Sequence, residues 1–390
     1  MAPTVQLELE RGKHGMYYTP FPVMAMAAGS DGNTFLVAGG GGAGNVKEVP
    51  NLVFAVEFDE ETQTAKTIAT LNTGKKVIVS MWFSPTAGVW LASAQTGCKI
   101  LSLDKSKGSI VELCEWASEE EGKEPEQNFA RMSPDGKLVL TGGSDGRVKL
   151  WDLPSPLGSK PPSLHCNCGG DKLKEVLDGD FSADGSSMAV CDAGGACYVW
   201  SVDSAEESGS KITFPTPKAP VKGGVYIKLV RFCTLEGSTA LILAANGGRG
   251  PGLLAICKAA DGSPIAQVVA DEAPLKSLLL DPTGSRLLVG ITAGSKAVYS
   301  FPQLRCLKKT KALHELPAME VIPLGEGTIV SGSGDRSLHF LDMRSRGGGL
   351  GGMCCWCLYL LIFVAVLLML GQIGLKGAAL QQGTSPEGEL

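Results

Sequence analysis

SPDGKLVLTGGSDGRVKLWDL, residues 133–153, sets the reading of the whole chain. Ser133-Pro134-Asp135-Gly136 has the composition of a tight turn, with Pro and Gly supplying the backbone angles. The apolar run Leu138-Val139-Leu140 follows. Gly142-Gly143-Ser144-Asp145-Gly146 makes a second turn, and Val148-Lys149-Leu150-Trp151-Asp152 then alternates apolar and polar residues. A period of two between turn signals is the mark of short antiparallel strands.

The scheme recurs on either side. SADGSSMAVCDAGGACYVWSV (182–202), DPTGSRLLVGITAGSKAVYSF (281–301) and GEGTIVSGSGDRSLHFLDM (325–343) repeat turn, strand, small-residue turn and strand. SPTAGVWLASAQTGCKILSLD (84–104), LEGSTALILAANGG (235–248) with GLLAICK (252–258), and DGNTFLVAGGG (31–41) with LVFAVEFD (52–59) are looser copies. The turn glycines Gly32, Gly88, Gly136, Gly185, Gly237, Gly284 and Gly327 fall 43 to 56 residues apart. That period, with four short strands to a unit, is the pattern of propeller blades. Residues 148–152 are the clearest copy of the WD signature, and the region 1–345 resembles a WD-repeat propeller of seven blades. An all-β fold is expected. An N-terminal strand within 4–10 or 16–28 should complete the last blade and close the ring.

Composition agrees and excludes several classes. Gly accounts for 51 of 390 residues without a three-residue period, so the chain is not collagen-like. Hydrophobic residues at 44% and charged residues at 19% exclude a disordered chain. A net charge of −5 argues against a dedicated nucleic-acid binder. The twelve Cys are scattered without paired C-x-x-C spacing, no Asn-x-Ser/Thr acceptor occurs, and no secretory leader precedes Glu8, Glu10, Arg11 and Lys13. These features favour a reduced, cytosolic main body.

The C-terminal end reads differently. No charged residue occurs over 347–375, and 353–370 is MCCWCLYLLIFVAVLLML. This is long enough for one transmembrane helix, taken as 353–375, after a Gly-rich linker over 346–352. Arg336, Arg344 and Arg346 precede it and only Lys376 follows closely, which places the propeller in the cytosol and a short tail, 376–390, on the lumenal side. Cys354, Cys355 and Cys357 sit at the cytosolic edge of the span, where the readings are palmitoylation or plain helix packing.

One connection is unusually long. Gly39-Gly40-Gly41-Gly42-Ala43-Gly44-Asn45-Val46-Lys47-Glu48-Val49-Pro50-Asn51 separates two strands of the first unit. Gly39-x-Gly41-x-x-Gly44 matches the spacing of a dinucleotide fingerprint. That motif needs a following helix, whereas Pro50 and a β-rich run follow here. A P-loop needs Gly-Lys-Ser/Thr, and Lys47 lies between Val46 and Glu48. A simple loop insertion and a loop that brings carbonyls to an ion or partner both remain.

With the propeller and the anchor, this loop resembles the potassium-binding loop of the exchange factors for the Sar-type GTPase of the COPII coat, the prolactin regulatory element-binding protein family. That resemblance implies a guanine-nucleotide exchange factor on the endoplasmic reticulum membrane, acting in ER-to-Golgi transport. Such a protein is a GTPase regulator rather than an enzyme with a small-molecule substrate of its own. It implies a potassium ion held by Gly39, Gly40, Gly41, Gly42, Gly44, Asn45 and Asn51, mainly through backbone carbonyls. It also implies a GTPase-contacting tip made of Val49, Pro50 and Asn51. Two departures stand out: Glu48 where such loops carry Gly, and Leu52 where a basic residue often follows the Asn. The alternative is a membrane-tethered WD-repeat scaffold without exchange activity.

Three other clusters carry less. His165-Cys166-Asn167-Cys168 is half of a metal site at most. Glu119, Glu120, Glu121, Glu124 and Glu126 read as a solvated loop. The four His show no pairing with Ser or Cys that would make a hydrolase triad.

Overall fold

The computed structural model describes residues 8–42, 48–118, 126–169, 173–207, 209–217, 221, 223–248, 250–325 and 327–344. Within them the chain is all-β, with one 3-10 turn at Val202–Ser204. Six four-stranded antiparallel sheets and a five-stranded one follow each other along the sequence. Strands are called a to d from the axis outward. The a strands are Val23–Ala28, Ile78–Ser84, Gln127–Met132, Val176–Phe181, Val225–Leu235, Leu275–Leu280 and Ala318–Leu324. Each packs against the next, and the last packs against the first, so the seven blades close a ring. The expected seven-bladed propeller is therefore present.

Period-two patterning has a clear physical outcome here. The b strands are buried on both faces, as in Thr34–Gly39 and Val89–Ala94, because each blade is covered by a neighbour on either side. The d strands, such as Thr64–Asn72 and Pro264–Asp271, are mostly half-buried or exposed because their outer edge meets water. Apolar clusters lie between blades: Ala25, Leu36 and Val53 of blade one meet Ile78, Met81 and Trp90 of blade two.

The a–b turns carry the repeat glycines. Gly32, Gly88, Gly136, Gly185, Gly237 and Gly284 all have φ between 66° and 76°, a region costly for residues with a Cβ. Blade seven departs from the expected spacing. Its left-handed glycine is Gly325 (φ 55°), while the Gly327 amide donates to Glu60 Oε1 at 3.2 Å.

The ring is closed by the N-terminus. Met16–Tyr18 pairs with Ser337–Asp342 as the d strand of blade seven, and Glu10–Arg11 adds a short fifth strand. The expected N-terminal closing strand is thus confined to Met16–Tyr18 within the wider window of 16–28. Among the described residues, no helix is long and apolar enough to cross a membrane. The linker over 346–352, the span over 353–375, the tail over 376–390 and Cys354, Cys355 and Cys357 lie outside the described residues.

Candidate functional site

The glycine-rich connection joins strand b (Thr34–Gly39) to strand c (Leu52–Asp59) of blade one. In an antiparallel blade, b–c connections and the d-to-a crossings to the next blade share one end of the ring. The loop therefore meets the crossing from Asn72 to Ile78. Asn51 fastens the two. Its side chain is fully buried; Oδ1 accepts from the Gly42 amide at 3.0 Å, and Nδ2 donates to the Gly74 carbonyl at 3.0 Å. Its carbonyl accepts from the amide of Thr73 at 3.0 Å and the hydroxyl of Thr73 at 3.2 Å.

The two sides of the loop converge above this bracket. The Gly41 amide donates to the Val49 carbonyl at 3.1 Å, which draws the chain into a neck. Val49 is buried in the core cluster that also holds Phe21 and Phe54, and Pro50 is partly buried. Val49, Pro50 and Asn51, expected as a GTPase-contacting tip, lie at the base of the connection. An apolar side chain and a carboxamide with local partners were both drawn inward, so these residues form the root. Glu48 is exposed. Gly44 and Asn45 lie outside the described residues.

Gly40 explains one of the glycines outright. Its φ is 152°, and a Cβ there would stand 2.1 Å from Asn51 Oδ1. Gly39 is equally constrained, since a Cβ would meet the Pro22 carbonyl at 1.8 Å. This packed root suits a hard monovalent cation in its donor chemistry. It offers neutral oxygens, namely the carbonyls of Gly40, Gly41 and Gly42 and the second lone pair of Asn51 Oδ1. No group of three His, Cys, Asp or Glu side chains fit for a metal exists among the described residues.

Two sequence candidates resolve into structure. Cys166 and Cys168 lie on Ser163–Cys168 with their side chains buried in the core. His165 points the other way and faces Asp152 at 3.1 Å. The alternation of a strand separates them, so they do not converge on a metal. The acidic run at 119–125 lies outside the described residues.

A charged layer across the axis was not foreseen. Asp178 on blade four accepts from Arg131 Nη2 of blade three at 3.1 Å and from Arg231 Nη1 of blade five at 2.5 Å. Arg131 also lies over the Trp82 ring, 5.0 Å from its centroid. Asp180 Oδ2 accepts from the Phe232 amide at 2.9 Å. Glu320 of blade seven faces the same layer; burial pushes its carboxyl up to about 7, against the opposing pull of Arg231 and Arg131. The cluster draws on the a strands of four different blades. No local motif signals it, and the only trace in the sequence is a charge placed within an apolar run.

The family profile described as "WD domain, G-beta repeat" matches residues 128–152, which span strands a to c of blade three. The chain is also 30% identical over 154 residues to "Rik1-associated factor 1" of Schizosaccharomyces pombe (strain 972 / ATCC 24843). That stretch is 38% of this chain and 22% of the yeast protein. The chain thus spans about a fifth of that relative's length. The chain carries a WD repeat on a seven-bladed propeller, an architecture that presents surfaces to other proteins.

Proposed function

We propose that this chain is a guanine-nucleotide exchange factor for a Sar-type small GTPase on the endoplasmic reticulum membrane, where it starts COPII coat assembly. The observation that carries the proposal is the long glycine-rich connection of blade one, cinched at a buried root by Asn51. A floppy insertion has no need of such a root. A loop that must press on a partner does, because an anchored base lets binding energy act on the partner rather than on ordering the loop.

The chemistry of exchange follows from linkage. A GTPase holds its nucleotide through phosphate contacts and a magnesium ion. A partner that binds the nucleotide-free form more tightly than the loaded form weakens that hold by the ratio of the two affinities. In this proposal the connection between Gly41 and Val49 supplies the contact with the GTPase. A potassium ion on the carbonyls of the glycine run would neutralise their mutual repulsion and stiffen the base. The apolar stretch over 353–375 supplies the membrane attachment.

The test is release of a fluorescent GDP analogue from a Sar-type GTPase, with the full-length chain in liposomes. Release should accelerate roughly tenfold or more, and should slow when choline replaces potassium. Asn51→Ala should remove most of the acceleration while the propeller stays folded. If the wild-type chain leaves the release rate unchanged in potassium, the protein is a tethered WD-repeat platform instead.

A further inference from the structure

The a–b end of the ring, opposite the glycine loop, opens into an axial cavity. Its larger lobe is about 620 Å³ and its smaller about 320 Å³; both are bordered by Trp82, Pro85, Arg231, Leu279 and Leu280. Pockets of this size hold small organic ligands. The rim consists of a–b turns, including Gly32, Pro282 and Gly325. The wall is apolar, with Met26, Met81, Trp82, Leu278 and Ile322. At the floor stand Arg131 and Arg231, 5% and 7% exposed.

The two guanidiniums are incompletely satisfied. Arg131 uses Nη1 on the Ala130 carbonyl and Nη2 on Asp178. Arg231 uses Nη1 for both Asp178 and the Val230 carbonyl. The Nε of each is buried without a partner. Buried donors normally find acceptors, and leaving one unmade is costly. On Arg231 only Nη1 is engaged, which leaves Nη2 as the donor for a carboxylate oxygen.

Charge limits what fits. Two arginines share Asp178, so the floor carries one cation beyond that pair. Asp180 and Glu320 stand at its margin, and burial raises both carboxyls above their ordinary range. With Asp178 matching one of the two guanidinium charges, a single further negative charge is the most that the floor can pair.

We propose that this axial cavity binds a small apolar monocarboxylate, its carboxylate on Arg231 and Arg131 and its apolar body along Trp82 and the Met and Leu wall. The site is independent of the exchange loop and lies at the other end of the ring.

The probe is phenylacetate, with phenylacetamide as the neutral control, titrated into the full-length chain in nanodiscs. Thermal midpoint and saturation-transfer NMR are the readouts. Phenylacetate should raise the midpoint saturably, by about 2 °C or more, and give ring saturation transfer; the amide should do neither. Glu320→Gln, which removes a neighbouring negative charge, should tighten phenylacetate binding about threefold or more at pH 8. Leu279→Trp, which fills the cavity, should abolish it. Equal effects of acid and amide would overturn the carboxylate site, as would no effect of either on the wild-type chain. Full binding by Leu279→Trp would place the ligand elsewhere and overturn it too. If Leu279→Trp does not fold, the response of Glu320→Gln decides: unchanged or weaker affinity sinks the proposal.

Discussion

Gly40 and Gly42 stand two positions apart in one run, and they answer to different constraints. Gly42 has φ 72° with open space where a Cβ would go. Gly40 has φ 152° and is pressed against Asn51. Gly42→Ala should therefore lower the unfolding free energy by about 1–2 kcal/mol, the cost of a left-handed backbone. Gly40→Ala should cost more, since it adds a collision with Oδ1 of a fully buried Asn to the strain of φ. Urea unfolding midpoints of the two variants check the order, and equal midpoints would contradict it. The sequence made this run visible but left its interior ambiguous. Polyglycine carries no side-chain pattern, so residues 39–51 could not say which glycines pack and which are free. Asn51 illustrates the point: a carboxamide after Pro reads equally as a turn-former, a ligand or a contact. Only its hydrogen bonds to Gly42 and Gly74 make it a bracket.

At the scale of elements, the strands were the most legible part. Turn glycines and period-two runs located the blades, because local backbone chemistry and half-burial act within a few residues of one another. The axial layer was illegible for the opposite reason. Arg131, Asp178, Arg231 and Glu320 are 47 to 189 residues apart and meet only because four a strands face one axis. Their coupling has a pH signature. Burial raises the Glu320 carboxyl to about 7 from an unfolded value of 4.5, so the folded state binds the extra proton. Stability contributed by that proton is present below pH 4.5 and is lost as pH rises through 7. Arg231, Arg131, Asp178 and Lys276 are the charged groups that act on it. Glu320→Gln removes the dependence while keeping the shape. Relative to wild type, the variant should gain stability between about pH 5 and pH 8, by about 1–3 kcal/mol, since each tenfold change in proton affinity is worth about 1.4 kcal/mol. Denaturant unfolding at both pH values measures the gain, and a constant difference would show that the carboxyl titrates at its ordinary value.

For the propeller as a whole, the decisive feature is that its first and last strands meet. Ser337–Asp342 would be an exposed sheet edge without Met16–Tyr18, and an open edge invites pairing with another chain. Tyr17 is the pin. It is 3% exposed, lies edge-on to Phe340 with centroids 5.2 Å apart, and its hydroxyl accepts from the Ala65 amide of blade one at 3.1 Å. Phe340 in turn stacks on Phe58 of blade one at 4.8 Å. The same aromatic cluster therefore ties strand d of blade seven to strands c and d of blade one, and the ring cannot loosen at this seam without exposing it. Tyr17→Ala should cost about 3–5 kcal/mol, as for other buried aromatics cut to Ala. Tyr17→Phe should cost only about 1 kcal/mol, because it removes one hydrogen bond and keeps the packing. Deleting residues 1–18 should do more than destabilise: it bares the edge of Ser337–Asp342, so the chain should self-associate in light scattering where the Tyr17→Phe variant does not. A truncated chain with the oligomeric state and melting midpoint of the intact one would mean that the ring holds shut by blade packing alone.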